Sequence, residues 1–251
     1  MTFRRNPATI DEMKYLVKTL GGSTAYGLNT PESDIDYRGV FVNTDPAKIL
    51  GLSRFDVVQK QETEDEVYYE IRKFFELLKE GNTGALEILF SDPTKHLMMD
   101  ASFVPIIENR HHFIDTEKMF RCLLGYMQSE RRLANGERTG LLGSKRKAQL
   151  DKYGFSPKNA VQLLRLSWAG TVLFETGEFP VHVMSWNKEM HDLLFAIKTT
   201  PSKYSKSQLN DLFDSADANL KSSFENRRVA LTFNLDKAND VLRELYLPFL
   251  V

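Results

Sequence analysis

The sequence predicts an α+β fold in which a small mixed β-sheet flanked by helices precedes an all-helical part. A short apolar run at 13–20 and a run rich in aromatic and β-branched residues at 34–42 predict strands near the N-terminus. From about residue 105 onward, apolar residues recur at the spacing of amphipathic helices. We therefore expect an α/β domain over residues 1–105 and a helical domain over residues 106–251.

Turn and capping residues set the expected bounds of the N-terminal elements. The first strand stops at Gly21 and Gly22, which is typical of a strand that ends in a tight loop. The segment 65–82 begins as a strand and becomes helical around residues 70–73, where apolar residues take up helical spacing. Gly81 is expected to end that helix.

Capping signals also bound the helices of the second half. Asp115 or Thr116 is expected to cap a helix that runs to residue 134. Ser156, Pro157 and Gly177 occupy the N-cap, the first helical position and the position just past the end of a second helix. Two further amphipathic helices are expected near 206–222 and 235–247.

Charge is distributed unevenly along the chain. The formal net charge of −1 argues against a globally basic nucleic-acid-binding protein. Residues 131–165 differ, because nine Lys and Arg against two Asp and Glu give them a local charge of +7 and leave −8 for the rest. A segment this basic often contacts phosphate groups.

The sequence carries no signal for membrane insertion or secretion. It contains neither a run of about 18 apolar residues nor the apolar core of a signal peptide. The single cysteine, Cys122, cannot form an internal disulfide and is expected to be a buried, inert thiol in a helix. We therefore expect a cytoplasmic protein with no membrane partner.

Two aspartates at one-residue spacing are the first candidate site. On a strand, Asp34 and Asp36 would point to the same face, about 6–7 Å apart. Like charges on one face repel each other unless a cation lies between them, and carboxylate oxygens are the ligands that Mg²⁺ and Mn²⁺ prefer. This pattern predicts a two-metal site for phosphoryl transfer.

The glycine-rich segment before the aspartates supplies the complementary half. Gly21 and Gly22 let the backbone approach a ligand closely, and Ser23 adds a hydroxyl and an amide. Successive amides in such a turn can bind an anion, so we expect a triphosphate here. The alternative for an isolated pair of aspartates is a solvated turn capped by Ser33 and Asp34.

The segment GGSTAYG followed by SDIDYRG resembles the signature of the DNA polymerase beta-like nucleotidyltransferase superfamily. With YYEIRKFFELLKEGN, LEILF and KYGFSPKNAVQLLRL, the chain is similar to the RlaP-type predicted nucleotidyltransferases associated with RNA repair, over residues 15–180. The resemblance implies the polymerase beta-like fold, with a catalytic N-terminal domain and a helical domain that completes the cleft. It also implies that the nucleotide is bound by Gly22, Ser23, Ser33, Lys158 and Arg165.

The resemblance further implies a third acidic residue on a neighbouring strand. Glu70 is the first candidate, because a charge in its apolar setting is costly unless it binds metal or a partner. Glu66 is the reserve and Asp65 ranks below it, since the run 62–66, which also holds Glu62 and Glu64, is typical of a solvated loop. The alternative for Glu70 is an ion pair with Arg72 or Lys73.

Several basic residues are candidate phosphate contacts. Lys145, Arg146 and Lys147 follow Gly140 and Gly143 in a predicted loop and are candidates for RNA. In the helix from residue 157, the side chains of Lys158, Gln162 and Arg165 share one face, which we expect to line the cleft. Gln162 stands where the family pattern has a histidine, so no histidine proton chemistry is expected there.

Arg38 lies on the same strand face as the aspartates. The sequence leaves open whether it pairs with them or contacts a phosphate. The five histidines are adjacent or isolated in the sequence and do not form a metal-binding pattern.

The favoured function is transfer of a nucleoside monophosphate from an NTP to an acceptor hydroxyl, with release of pyrophosphate. Asp34, Asp36 and Glu70 would bind two Mg²⁺ or Mn²⁺ ions. The basic segment favours RNA as the acceptor, for end addition or repair. The alternatives are a protein-modifying (AMPylating-type) nucleotidyltransferase, a non-catalytic nucleotide-binding module and a purely structural domain. The sequence does not indicate the NTP or the oligomeric state.

Overall fold

The computed structural model describes residues 13–52, 54–60, 65–138 and 143–251. These residues form a mixed five-stranded sheet. Its strands in chain order are β1 (Met13–Gly21), β2 (Asp36–Asn43), β3 (Val57–Lys60), β4 (Asp65–Glu70) and β5 (His96–Met99). In space the order is β3-β4-β2-β1-β5, and only the central pair of β4 and β2 is parallel.

Helices, short 3-10 turns and connecting segments make up the rest of the described chain. Within the first half the helices are α1 (Gly22–Ala25), α2 (Pro46–Leu50), α3 (Ile71–Lys79), α4 (Thr83–Leu89) and α5 (Val104–Glu108). The later helices are α6 (Thr116–Ala134), α7 (Ser144–Tyr153), α8 (Pro157–Thr176), α9 (Val183–Trp186), α10 (Lys188–Thr199), α11 (Lys206–Glu225) and α12 (Leu235–Tyr246). In the described residues, no helix is long and apolar enough to cross a membrane.

The predicted fold class and most of the predicted elements are confirmed. The side chain of Asp115 caps α6, and the chain changes from strand to helix at residue 71. Pro157 is the first residue of α8, and Gly177 ends that helix with φ of +83°. The proposed boundary at residue 105 falls inside α5, so the division into two domains stays a prediction.

Two local predictions were wrong. The segment with Lys145, Arg146 and Lys147 is part of helix α7 and not a loop, and Gly140 lies outside the described residues. Residues 65 and 66 belong to β4, because they pair with β2 and β3, so the solvated-loop prediction fails there. Glu62 and Glu64 lie outside the described residues.

The helix α8 lies at the centre of the helical half. It packs against α6, α10 and α11, and most of its side chains are buried. One cluster of buried apolar residues joins this helix to the sheet and includes Val40, Phe74 and Leu123. Because neighbours surround α8, only the first turn of the helix carries an exposed cation, Lys158.

Glu70 is a buried structural residue at the end of β4. Its carboxylate accepts hydrogen bonds from the backbone N–H of Arg72 (2.8 Å) and from the hydroxyl of Tyr246 (2.6 Å). The first bond caps α3, and the second fastens α12 to the sheet. Burial raises the pKa of Glu70 despite these two bonds.

This buried carboxyl predicts a specific pH dependence of stability. Because the pKa of Glu70 is higher in the folded chain than in the unfolded chain, folding takes up a proton between the two values. Its contribution to the free energy of unfolding is therefore largest below the unfolded pKa and is lost as the pH rises through the folded pKa. Glu70→Gln should remove this component.

The measurement is urea unfolding of both proteins from about pH 4 to about pH 8. The stability of the original chain minus that of Glu70→Gln should fall as the pH rises through the window. A difference that grows with pH would show that the carboxylate form is the one favoured by folding.

Candidate active site

The parallel pairing of β2 with β4 brings two carboxylates side by side. Asp36 and Asp65 are the first residues of the two strands and are direct partners in the register. The guanidinium of Arg38 lies between them. Its Nη2 is 3.0 Å from Asp65 Oδ2 and 3.8 Å from Asp36 Oδ1. Two acidic residues and one basic residue thus form the centre of the site.

Two glycines make room for this centre at the end of β1. A Cβ on Gly22 would lie 1.7 Å from Asp36 Oδ2, and the φ of Gly22 is +55°. A Cβ on Gly21 would lie 2.7 Å from the Cγ of Arg38. Any other residue at Gly22 would therefore strain the backbone and displace the Asp36 carboxylate. Ser23, the next residue of α1, is half-buried beside this contact.

Asp36 is the half-buried acid of the site and Asp34 the exposed one. Burial raises the pKa of Asp36, while the charges of Arg38 and Lys158 lower it and those of Asp65 and Asp34 raise it. Asp34 precedes β2 instead of belonging to it, so the prediction that both aspartates alternate on one strand was wrong. Its charge nevertheless acts on Asp36, so the two acids remain neighbours.

Glu70 does not join the aspartates, which corrects the sequence prediction. It pairs with Phe41 in the register, five residues along from the pair of Asp36 and Asp65, or about 16 Å. Its two carboxylate oxygens are occupied by the contacts to Arg72 and Tyr246. The structure instead places Asp65, the lowest-ranked candidate, beside Asp36.

The residues of this centre fit a divalent cation chemically. Asp36 and Asp65 offer hard oxygen ligands, and Asp65 Oδ1 is buried without a hydrogen-bond partner among the described residues. As placed, however, no three acidic, histidine or cysteine side chains in the described parts of the chain are grouped to hold a metal ion. The guanidinium of Arg38 bonds the other oxygen of Asp65, so a cation shared by both acids requires that side chain to move.

A lysine that the sequence reasoning missed holds the loop between the glycines and the aspartates. Lys198 of α10 donates hydrogen bonds to the backbone carbonyl of Leu28 (2.6 Å) and to the hydroxyl of Ser33 (3.2 Å). Ser33 also accepts a bond from the backbone N–H of Thr30 (2.9 Å). Ser33, a predicted nucleotide ligand, thus stabilises the loop in this structure.

Three lysines from three helices, Lys145, Lys158 and Lys198, form a cationic group, because the charges of the first two act on the third. Burial, followed by the charges of Lys158 and Lys145, lowers the pKa of Lys198. Lys158 also acts on Asp36, so this one side chain links the cationic group to the acidic group. Lys158 and Lys145 are exposed and make no hydrogen bond or ion pair with another described residue. Converging positive charges of this kind favour binding of an anion.

The other two predicted phosphate contacts on α7 are placed differently. Lys147 is exposed, while Arg146 is half-buried and its charge acts on the buried carboxyl of Glu130. Of these three predicted contacts on α7, the structure therefore brings only Lys145 to the cationic group.

Arg165 is a core residue, which contradicts its predicted role as a phosphate ligand. Its side chain is completely buried, donates to Glu87 Oε1 (2.6 Å) and lies 3.6 Å from the centre of the Tyr26 ring. The hydroxyl of Tyr26 donates to the other oxygen of Glu87 (2.8 Å). Arg165 therefore connects α8 and α4 to the segment that follows the glycine turn, and no part of its guanidinium is exposed to a ligand in the cleft.

The chain is similar to a protein family and to individual proteins, among them a phage protein and a protein of solved structure. An uncharacterized 38.9 kDa protein from the nrdC-mobD intergenic region of Enterobacteria phage T4 is 30% identical over 129 residues. That match covers 47% of this chain and 38% of the phage protein, so the chain spans about two-fifths of the length of this relative.

A solved structure, that of a nucleotidyltransferase-like protein from Exiguobacterium sibiricum, covers 94% of this chain and 74% of its own at 16% identity. The TM-score of 0.30 is too low to support an argument about fold or function. Residues 6–244, in contrast, match the family described as RlaP, RNA repair pathway DNA polymerase beta family. The chain therefore belongs to the RlaP family, the RNA repair pathway DNA polymerase beta family.

Proposed function

We propose that this protein is a nucleotidyltransferase that transfers a nucleoside monophosphate from an NTP to a hydroxyl of RNA. The reaction would depend on a divalent metal ion and would release pyrophosphate. The observation that supports this proposal most strongly is the pairing of Asp36 with Asp65, on which the charge of a nearby lysine, Lys158, also acts through Asp36. Lys158 acts electrostatically on both the acidic group and the cationic group. A triphosphate together with a divalent cation has the charge distribution that matches this arrangement.

The acids are proposed as the metal-binding half of the site. Asp34, Asp36 and Asp65 replace the predicted set that contained Glu70. Mg²⁺ or Mn²⁺ held there would stabilise the negative charge of the transferring phosphoryl group. Gly22 keeps the Asp36 carboxylate in place, because only a residue without a Cβ fits the contact.

The lysines are proposed as the phosphate-binding half of the site. Lys158 and Lys145, both exposed, would contact the β- and γ-phosphates, and Lys198 would hold the loop that ends in Ser33. Gly22 and Ser23 would present backbone amides and a hydroxyl to the same triphosphate. Fixed cations stabilise the pyrophosphate that leaves, and they require no reorganisation during the reaction.

The surface around α7 supports RNA as the acceptor. Exposed basic side chains of the segment 131–165 include Arg132, Arg138, Lys145, Lys147 and Lys152. Arg131 does not contribute in the same way, because it pairs with Asp214 at 2.6 Å. Exposed cations next to a nucleotide site suit a polyanionic acceptor.

The test incubates the protein with total RNA, each α-labelled NTP in turn, and Mg²⁺ or Mn²⁺. Label in RNA, with pyrophosphate released in equal amount, would support the proposal. Label in protein alone would contradict the RNA acceptor and support the protein-modifying alternative. Binding of NTP without pyrophosphate release would identify a non-catalytic nucleotide-binding module.

A further inference from the structure

Arg38 is held in the acidic centre by four contacts. Nη1 donates to the backbone carbonyls of Tyr37 (2.8 Å) and Asp65 (2.9 Å). Nη2 donates to Asp65 Oδ2 and approaches Asp36 Oδ1. A guanidinium that bonds both the backbone and the carboxylate of Asp65 is a fixed part of the site and not a side chain that extends into solvent.

The surrounding backbone is shaped for this arginine. Gly21 gives the Cγ of Arg38 the space that a Cβ would otherwise fill, at 2.7 Å. The ion pair with Arg38 uses only one carboxylate oxygen of Asp65. The other oxygen, Oδ1, is buried and has no hydrogen-bond partner in the described residues. The single guanidinium therefore offsets part of the charge of the two acids and leaves one oxygen of Asp65 without a partner.

A divalent cation and this guanidinium compete for the same oxygens. Metal coordination to Asp65 and the 3.0 Å bond from Arg38 Nη2 both use the carboxylate lone pairs. Two cations placed between the same pair of acids also repel each other strongly at such short range. Binding of one therefore weakens binding of the other.

We propose that Arg38 is the resident counter-ion of the acidic centre and that it gives up Asp65 when a divalent cation binds. This inference rests on the proposed function, because it requires a metal at Asp36 and Asp65. Arg38 offsets part of the charge of the two acids and holds them close together before the cation arrives. It thereby lowers the affinity for metal alone.

The experiment measures Mn²⁺ affinity without nucleotide, from the electron paramagnetic resonance signal of free Mn²⁺. Arg38→Met should bind Mn²⁺ about tenfold more tightly than the original chain, because the competing charge is gone. Its melting temperature should be lower in chelator and should recover in Mn²⁺. The matched control is Arg227→Met, because Arg227 is equally exposed, also bonds a backbone carbonyl and pairs with Glu117 at 2.8 Å away from the site.

A second readout follows the arginine itself. The Arg38 signal in the ¹⁵N spectrum of the guanidinium groups is assigned by its absence in Arg38→Lys. When Mg²⁺ saturates the protein, this signal should change from that of a hydrogen-bonded, immobile guanidinium to that of a mobile one. An unchanged Arg38 signal, or unchanged Mn²⁺ affinity in Arg38→Met, would overturn the inference. The variant Asp36→Asn distinguishes failure of this inference from failure of the proposed metal site. If it abolishes Mn²⁺ binding while Arg38→Met has no effect, only this inference fails, whereas Mn²⁺ binding insensitive to Asp36→Asn overturns the proposed metal site as well.

Discussion

Asp65→Asn should reduce nucleotidyl transfer at least about 100-fold while leaving the fold intact. Asparagine keeps an acceptor for Arg38 but removes the negative charge beside Asp36. The loss of stability should stay below about 1 kcal/mol, because the ion pair with Arg38 is partly exposed. Glu70→Gln should instead leave the transfer rate per folded molecule nearly unchanged, since Glu70 caps α3 far from the site.

The measurement is single-turnover transfer from an α-labelled NTP, together with thermal unfolding of each variant. Asp211→Asn is the control, because Asp211 is an exposed aspartate on α11. Equal transfer rates for Asp65→Asn and the original chain would remove Asp65 from the site. A rate lost in Glu70→Gln without loss of stability would restore the sequence-based assignment.

Glu87→Leu is expected to be among the most destabilising single substitutions in the chain, at about 3–5 kcal/mol. It would leave the guanidinium of Arg165 completely buried and without its carboxylate partner. Arg165→Met should cost less, because Glu87 is partly exposed and water can solvate it. The two substitutions therefore lower stability by unequal amounts, even though each removes the same ion pair between Glu87 and Arg165.

Urea unfolding of both single variants and the double variant tests this order. The double variant Glu87→Leu/Arg165→Met should be less destabilised than the sum of the two singles, because it leaves no unpaired charge. A strictly additive result, or a larger loss for Arg165→Met than for Glu87→Leu, would contradict the assignment of Arg165 as a core residue that needs Glu87.

The parts of the site that the sequence predicted are those encoded locally. The glycine turn and the spacing of Asp34 and Asp36 are properties of one short segment, so their residue types already indicate phosphate and metal chemistry. Helix ends such as Asp115 and Pro157 were predicted for the same reason, since capping depends on adjacent residues.

The errors concern contacts between distant segments. Asp65 meets Asp36 only through the register of two strands, and the sequence holds no signal for that register. The sequence correctly predicted that the charge of Glu70 is buried and needs a partner. Its partners, however, are the N-terminus of α3 and Tyr246, which lies 176 residues away in the chain.

The helical faces were difficult to predict for a related reason. Spacing places Lys158 and Arg165 on one side of α8, but helices pack around this element, so a residue two turns along the same face is already in the core. Lys198 was missed because one of its partners, the carbonyl of Leu28, is a backbone group without any sequence signal.

The most direct test of a metal-dependent nucleotidyl transfer at the aspartates compares the original chain with Asp34→Ala/Asp36→Ala. Both proteins receive an α-labelled NTP, RNA and Mg²⁺ or Mn²⁺, and pyrophosphate and incorporated label are measured together. The original chain should form both in equal amounts, only with metal, and the double variant should form neither. A double variant that labels as well as the original chain would contradict the assignment of the site.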